Sequence, residues 1–485
     1  MKASLGSHPR SCSIAFLAKI LFLLVGNSRG ADLPSDPMPV WMGNGSCAAT
    51  ACHSGRREPL DLKGSESTFS EAYDPHVRAF SVLYEDRSLR IEKTYRRLAD
   101  IDAARPYEDD ACLRCHVHQG YNSRVTRSHS PEFTVADGAG CESCHGPAGR
   151  WLVPHVQAGW QGYTDRQKLD FFGMRPTKDL LARGQTCAEC HVGEGETDVN
   201  HDLIAAGHPR LNFDYSNHLA KLPKHWRVED DQARHPDDEA KVWALGQFLT
   251  AKASLDLLES RAKRSIPEES SAPWPEFAEY SCFSCHHELV REGWASANVA
   301  GVEKPGSLQW GTWSLPLGNH LPTGFQGFDP DSPNPLFGSL RTEMAQPVPD
   351  ARLVARLARE ASGAVGRAAE ALNQRRITPG EVRAMLESFR IVPASAKSSI
   401  DWDLAARQYL AIVALDRSAS KLDRAYDPGP ARQALAGLRE NLNLPFRFDA
   451  GRTIFDSPRR LDFDRVRADL RAVQAALSAP GRTTP

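Results

Sequence analysis

The chain has 485 residues, 41% of them apolar and 25% charged, with a formal net charge of -2. That length suits two or three domains, and the composition is that of an ordinary soluble protein. A near-neutral balance gives no electrostatic reason to expect nucleic acid or an anionic membrane surface as a partner.

The N-terminus reads as an address. Lys2 and Arg10 precede an apolar stretch from Ile14 to Val25, and Ser28-Arg29-Gly30 puts small residues where a signal peptidase needs them. Residues 1–30 are therefore expected to be a signal peptide that sends the chain to the periplasm or another exported location. Lys19 interrupts the stretch, so an uncleaved anchor is the alternative, although a spanning helix takes about 20 apolar residues. No later segment is apolar enough to span, and membrane contact is expected only through a partner or an uncleaved signal.

From residue 47 onward one motif recurs. Cys112 and Cys115 precede His116, Cys141 and Cys144 precede His145, Cys187 and Cys190 precede His191, and Cys282 and Cys285 precede His286, each as C-x-x-C-H. Cys47 and Cys52 precede His53 in a stretched C-x4-C-H version. This is the attachment pattern of c-type haem: two thiols reach the two vinyl groups of one porphyrin edge, and the next residue offers its imidazole to the iron. A closed zinc site needs four ligands and does not require a histidine straight after the second cysteine. Cys12 lies in the signal, so the other ten cysteines serve five haem c groups and leave none for a disulfide.

Residues 31–295 are thus expected to form a pentahaem domain. Its one long helical pattern, from Asp237 to Arg264, carries Val242, Leu245, Phe248, Leu249, Leu255 and Leu258 on an apolar stripe. Residues 296–348, rich in Gly and Pro, read as a linker. Residues 349–485 read as a helical C-terminal domain, with a capping box at Thr378-Pro379-Gly380-Glu381 and further helices near 400–418, 430–441 and 462–478. That domain holds no cysteine or histidine, and its Arg-rich faces read as solvated surface. The predicted fold class is mainly α: a loop-rich multihaem domain packed around covalent haems, followed by helices.

Each iron needs a second axial ligand, usually His or Met. His76, His155, His201 and His208 are the candidates. His118 and His287 stand too near their own proximal histidines and could serve only a neighbouring haem. His129, His218 and His225 are weaker candidates and His235 and His320 weaker still, the bland reading of each being a packed or surface residue; Met38 and Met42 read as packing.

Gly140-Cys141-Glu142-Ser143-Cys144-His145-Gly146-Pro147, with His155 downstream and Asp179-Leu180-Leu181-Ala182-Arg183-Gly184-Gln185 before the fourth motif, resembles the cytochrome c-554 family over roughly residues 40–195. The resemblance implies a tetrahaem electron carrier serving hydroxylamine oxidoreductase, with His76 and His155 as distal ligands and the haem at His116 left five-coordinate. The stretched first motif and the fifth motif depart from that pattern. So does the missing histidine before the fourth motif, whose place His201 or His208 is expected to take.

The sequence therefore reads as an exported multihaem c-type cytochrome that carries electrons between redox-protein partners. The alternative is an oxidoreductase acting on a small nitrogen or sulfur compound at an open haem, with His116 as its proximal residue and His118, Tyr121 or Arg124 as donors to a bound anion. No C-x-x-C-K motif is present to favour it.

Overall fold

The computed structural model describes residues 39–55, 64–267, 270, 272–282, 285–286, 308–311, 313–328, 335–389, 402–424, 426–444 and 462–478. The signal, Met38 and His287 lie outside them. Among the described residues the protein is α-helical with only isolated bridges, such as Trp41 with His129 and Tyr280 with Trp310. None of the described helices is long and apolar enough to cross a membrane.

The N-terminal part consists of short elements. Helices α1 (Glu66–Tyr73), α2 (Asp86–Tyr95), α3 (Asp110–His116), α4 (Cys141–His145) and α5 (Leu180–His191) are joined by loops and 3-10 turns, with a short helical turn at Asp165–Gln167 running into a π-helix at Lys168–Phe172 before α5. Their buried apolar clusters are small. Phe80, Leu83, Leu113 and Val117 form one, and Ala148, Trp151 and Trp160 form another, with Met42 packed on its edge.

The remainder is built differently. After α6 (His201–Ala205), α7 (Tyr215–Lys221) and α8 (Val228–Arg234) comes α9 (Asp238–Ser265), where the periodicity places a long helix. Val242, Trp243, Ala244, Leu245, Phe248, Leu249, Leu255, Leu257 and Leu258 are all buried on it. A helix buried around its circumference must be central rather than amphipathic. It packs on α5 and α7 on the N-terminal side and on α11 (Ala351–Asn373) and α13 (Trp402–Leu422) on the other.

One apolar core consequently runs from Leu180 to Val473, and takes in α10 (Pro335–Met344), α12 (Pro379–Ser388), α14 (Gly429–Asn441) and α15 (Phe463–Ser478). The capping box at Thr378 and Glu381 forms as its sequence requires. Polar contacts tie the halves: the Lys241 ammonium donates to the carbonyls of Asn373 and Arg375 at 2.8 Å, and Arg210 pairs with the wholly buried Asp403 through two bonds of 2.8 Å.

The segment before α10 differs from a free linker. Trp310, Trp313, Leu315, Leu317, Leu321 and Phe325 are buried in the core, and the Trp313 indole donates to the Phe213 carbonyl at 3.0 Å. Its backbone is irregular because of Gly and Pro, yet its aromatic side chains are large enough to anchor it.

Candidate haem sites

The regular motifs sit where helix geometry helps them. Residues three and four apart share a helix face, so the first cysteine, the second cysteine and the histidine of C-x-x-C-H all point the same way. In α3, α4 and α5 the motif histidine is the last helical residue. At the fifth motif the N–H of His286 bonds to the Cys282 carbonyl at 2.8 Å, which closes a helical turn there too.

Local contacts fix these helices. Asp109 and Asp179 cap α3 and α5 by accepting the N–H of Ala111 and of Ala182. The buried Glu142 carboxylate accepts the N–H groups of Met42, Gly43 and Ala148, so it anchors the third motif to the strand of chain entering the first. Gly146 ends α4 at φ +83, with the Gly173 carbonyl so close that a β-carbon would not fit. Cys47 and Cys52 have no helix; a 3-10 turn at Asn44–Ser46 leads into them, and the longer loop separates a buried thiol from an exposed one.

The described cysteines form no disulfide. Burial raises the thiols of Cys112 and Cys187 to about 12, so they are protonated at neutral pH. Thiols of different motifs come together: those of Cys47 and Cys141, and of Cys115 and Cys190, lie within hydrogen-bond reach, and Cys144 lies within electrostatic reach of Cys187 and Cys190.

The histidines fall into facing pairs. His53 and His155 have ring centres 6.4 Å apart, His76 and His191 6.1 Å, His145 and His225 6.2 Å, and His201 and His286 6.5 Å. Two imidazoles on opposite sides of one first-row metal, each bonded at roughly 2.0–2.1 Å, have ring centres roughly 6 to 6.5 Å apart. Each pair joins one motif histidine to one histidine from elsewhere.

The Nδ1 atoms fit the same purpose. His53 holds Glu66 at 3.0 Å, His76 holds Asp74 at 2.8 Å, and His155 donates to the Leu152 carbonyl at 2.5 Å. His116 bonds through Nδ1 to the Ala79 carbonyl and His208 to the Pro209 carbonyl at 2.8 Å. An Nδ1–H committed to an oxygen fixes the tautomer and orients Nε2 for a metal. Burial drives His145 down to about 4 and His191 well down, which keeps both imidazoles neutral. Among the described residues no three His, Cys, Asp or Glu side chains converge on one point, so no zinc site is formed by them.

Several expectations are revised. His76, not His201 or His208, faces the fourth motif's His191; His201 faces His286, and the buried His208 is within electrostatic reach of His116. His225, a weaker candidate than His76 or His155, faces His145, and its Nδ1 is buried with no hydrogen-bond partner. The only signal was its place in a Pro-Lys-His-Trp turn, which is too common to single out a ligand. His218 lies 4.9 Å from His191, too close to share a metal across from it.

His118 is an anion donor only under the alternative, catalytic reading. Its Nδ1 meets the Gln119 carbonyl at 2.8 Å, its Nε2 meets that of His129 at 3.0 Å, and its ring stacks on Trp41. Both nitrogens are committed. His235 bonds to the Lys178 carbonyl, and His320 packs between Ser388 and the Phe389 ring.

Repeated thiol pairs, each followed by an imidazole that in four cases stands 6.1–6.5 Å from a second one, are the pattern of a c-type cytochrome. Residues 48–146 match the family described as cytochrome c554 and c-prime. Over 155 residues the chain is 28% identical to cytochrome c-554 of Nitrosomonas europaea, a stretch that makes up 30% of this chain and 60% of that relative. The N-terminal part is thus cytochrome c-554-like, and the chain spans about three fifths of the relative's length. No solved structure matches the chain.

Proposed function

We propose that the protein is an exported pentahaem cytochrome that passes electrons between redox-protein partners. The observation that carries this reading is the set of four histidine pairs at metal-spanning distance, each including a motif histidine. Two protein ligands on an iron leave no position for a substrate, which suits a carrier rather than a catalyst.

Haem iron, once attached at Cys47/Cys52, Cys112/Cys115, Cys141/Cys144, Cys187/Cys190 and Cys282/Cys285, would supply reversible one-electron chemistry. The chain's own residues set how that chemistry runs. His53, His116, His145, His191 and His286 would be proximal ligands; His155, His225, His76 and His201 would stand opposite the first, third, fourth and fifth of these. Glu66, Asp74 and the backbone carbonyls hold the imidazoles in one orientation, so that ligation changes little between redox states. The thiols of motifs one and three, of three and four, and of four and two lie near one another, so haems attached there would be neighbours.

The competing catalytic reading draws no support from His118, whose nitrogens are engaged. Adding nitrite or hydroxylamine to the ferric holoprotein is expected to leave its low-temperature electron paramagnetic resonance unchanged, with no turnover. Turnover accompanied by a shifted haem signal would overturn the carrier assignment.

A further inference from the structure

The second motif stands apart, because the c-554 resemblance implies that its iron keeps an open position. We propose that in this chain His208 closes that position as the distal ligand opposite His116. The inference rests on the haem reading above and deepens it.

One short stretch of chain positions both imidazoles. His116, at the end of α3, is held through Nδ1 by the carbonyl of Ala79, which follows the 3-10 turn Pro75–Arg78. A few residues on, α2 holds the other side. The Arg87 guanidinium donates twice to the Gly207 carbonyl, at 2.9 and 3.3 Å, and Gly207 rests against Ile91. His208 follows directly, with its Nδ1 turned back to the Pro209 carbonyl. Both rings therefore have Nδ1 committed and Nε2 as the ligand atom, and they lie within electrostatic reach of one another.

Among the described residues the other candidate histidines near the motifs have different partners. His155, His225, His76 and His201 face four different motif histidines, His118 and His129 are bonded to each other, and His218 crowds His191. Phe80, Leu83, Leu113 and Val117, with Tyr107 and Tyr121 packed on them, enclose the second motif in apolar surface. Such surroundings would leave the O–H groups of a bound water without partners, which favours an imidazole whose N–H is already paired. Gly207, at φ +115, permits the tight turn that brings His208 back from α6 toward α2.

The test is spin-state counting on the holoprotein. Ferric wild type is expected to show no high-spin haem. His208→Ala should convert one haem in five to high spin, keep all five haems by mass, and return to low spin when imidazole is added. A wild-type protein that already carries one high-spin haem, unchanged by His208→Ala, would overturn the proposal while leaving the carrier reading intact. Loss of haem from Cys112 and Cys115 in the wild type would instead defeat the haem reading on which it rests. Should His208→Ala fail to accumulate, His208→Met keeps a sixth ligand, and a rise in one haem potential alone is expected; all potentials unmoved would count against the assignment.

Discussion

Made in a compartment that does not attach haem, the chain is expected to lose the structure of residues 40–178 while the segment from α5 onward stays folded. The reason is the size of the two interiors. Before Leu180 the apolar clusters amount to Phe80, Leu83, Leu113 and Val117, and to Ala148, Trp151 and Trp160. Burying a large apolar side chain contributes about 1.5–3 kcal/mol, whereas ordering the backbone costs about 1–2 kcal/mol for each residue. Clusters of that size cannot offset the ordering of so long a stretch, so covalent macrocycles must supply the missing interior. The core from Leu180 to Val473 has no such need, since α9, α11 and α13 bury one another. Limited proteolysis of haem-free protein should leave a resistant fragment that begins near Leu180. Equal resistance of residues 40–178 with and without haem would contradict this.

The second large effect is expected at Arg261. Its guanidinium, 6% exposed, bonds to Asp198 at 2.5 Å and to Glu279 at 2.6 Å, while Arg264 reaches Asp198 at 2.7 Å. Removing one member of a buried charge network strands its partners, at a cost of about 3–5 kcal/mol from a total stability of about 5–15 kcal/mol. Arg261→Met should therefore lower the melting temperature sharply. It should also loosen His201, three residues beyond Asp198, whose N–H bonds to Glu276 at 2.8 Å on the segment leading to the fifth motif. Burial already lifts the Glu279 carboxyl above its usual range despite the attraction of Arg261. Without Arg261 that lift grows. A carboxyl whose folded pKa is raised contributes its full stability below the unfolded value and loses it as pH climbs through the folded one. The penalty of Arg261→Met should thus be smaller at mildly acid pH than at neutral pH, by thermal unfolding of both proteins. An equal penalty at both would show that Glu279 is not the stranded group.

What the sequence disclosed follows from the range of each interaction. The attachment motifs are local, since i, i+3 and i+4 share a helix face, and so Cys141, Cys144 and His145 could be read at sight. Helices α9 and α11 were legible for a similar reason, their apolar periods being long and uninterrupted. The partners of the motif histidines are not local. His225 meets His145 from eighty residues away, and nothing near it in the chain marks it as different from His218. His201 and His208 follow the fourth motif in sequence, yet α6 brings His201 to the fifth motif and the turn after it leaves His208 within electrostatic reach of His116. Proximity along the chain misled there. Between 308 and 328, Gly and Pro described the backbone correctly but hid the anchoring by Trp310 and Trp313.

The most direct test of the account is peptide mass mapping of the exported protein. Peptides containing Cys47/Cys52, Cys112/Cys115, Cys141/Cys144, Cys187/Cys190 and Cys282/Cys285 should each carry one haem through two thioethers. Unmodified thiols, or a disulfide or zinc, at two or more of these positions would contradict it.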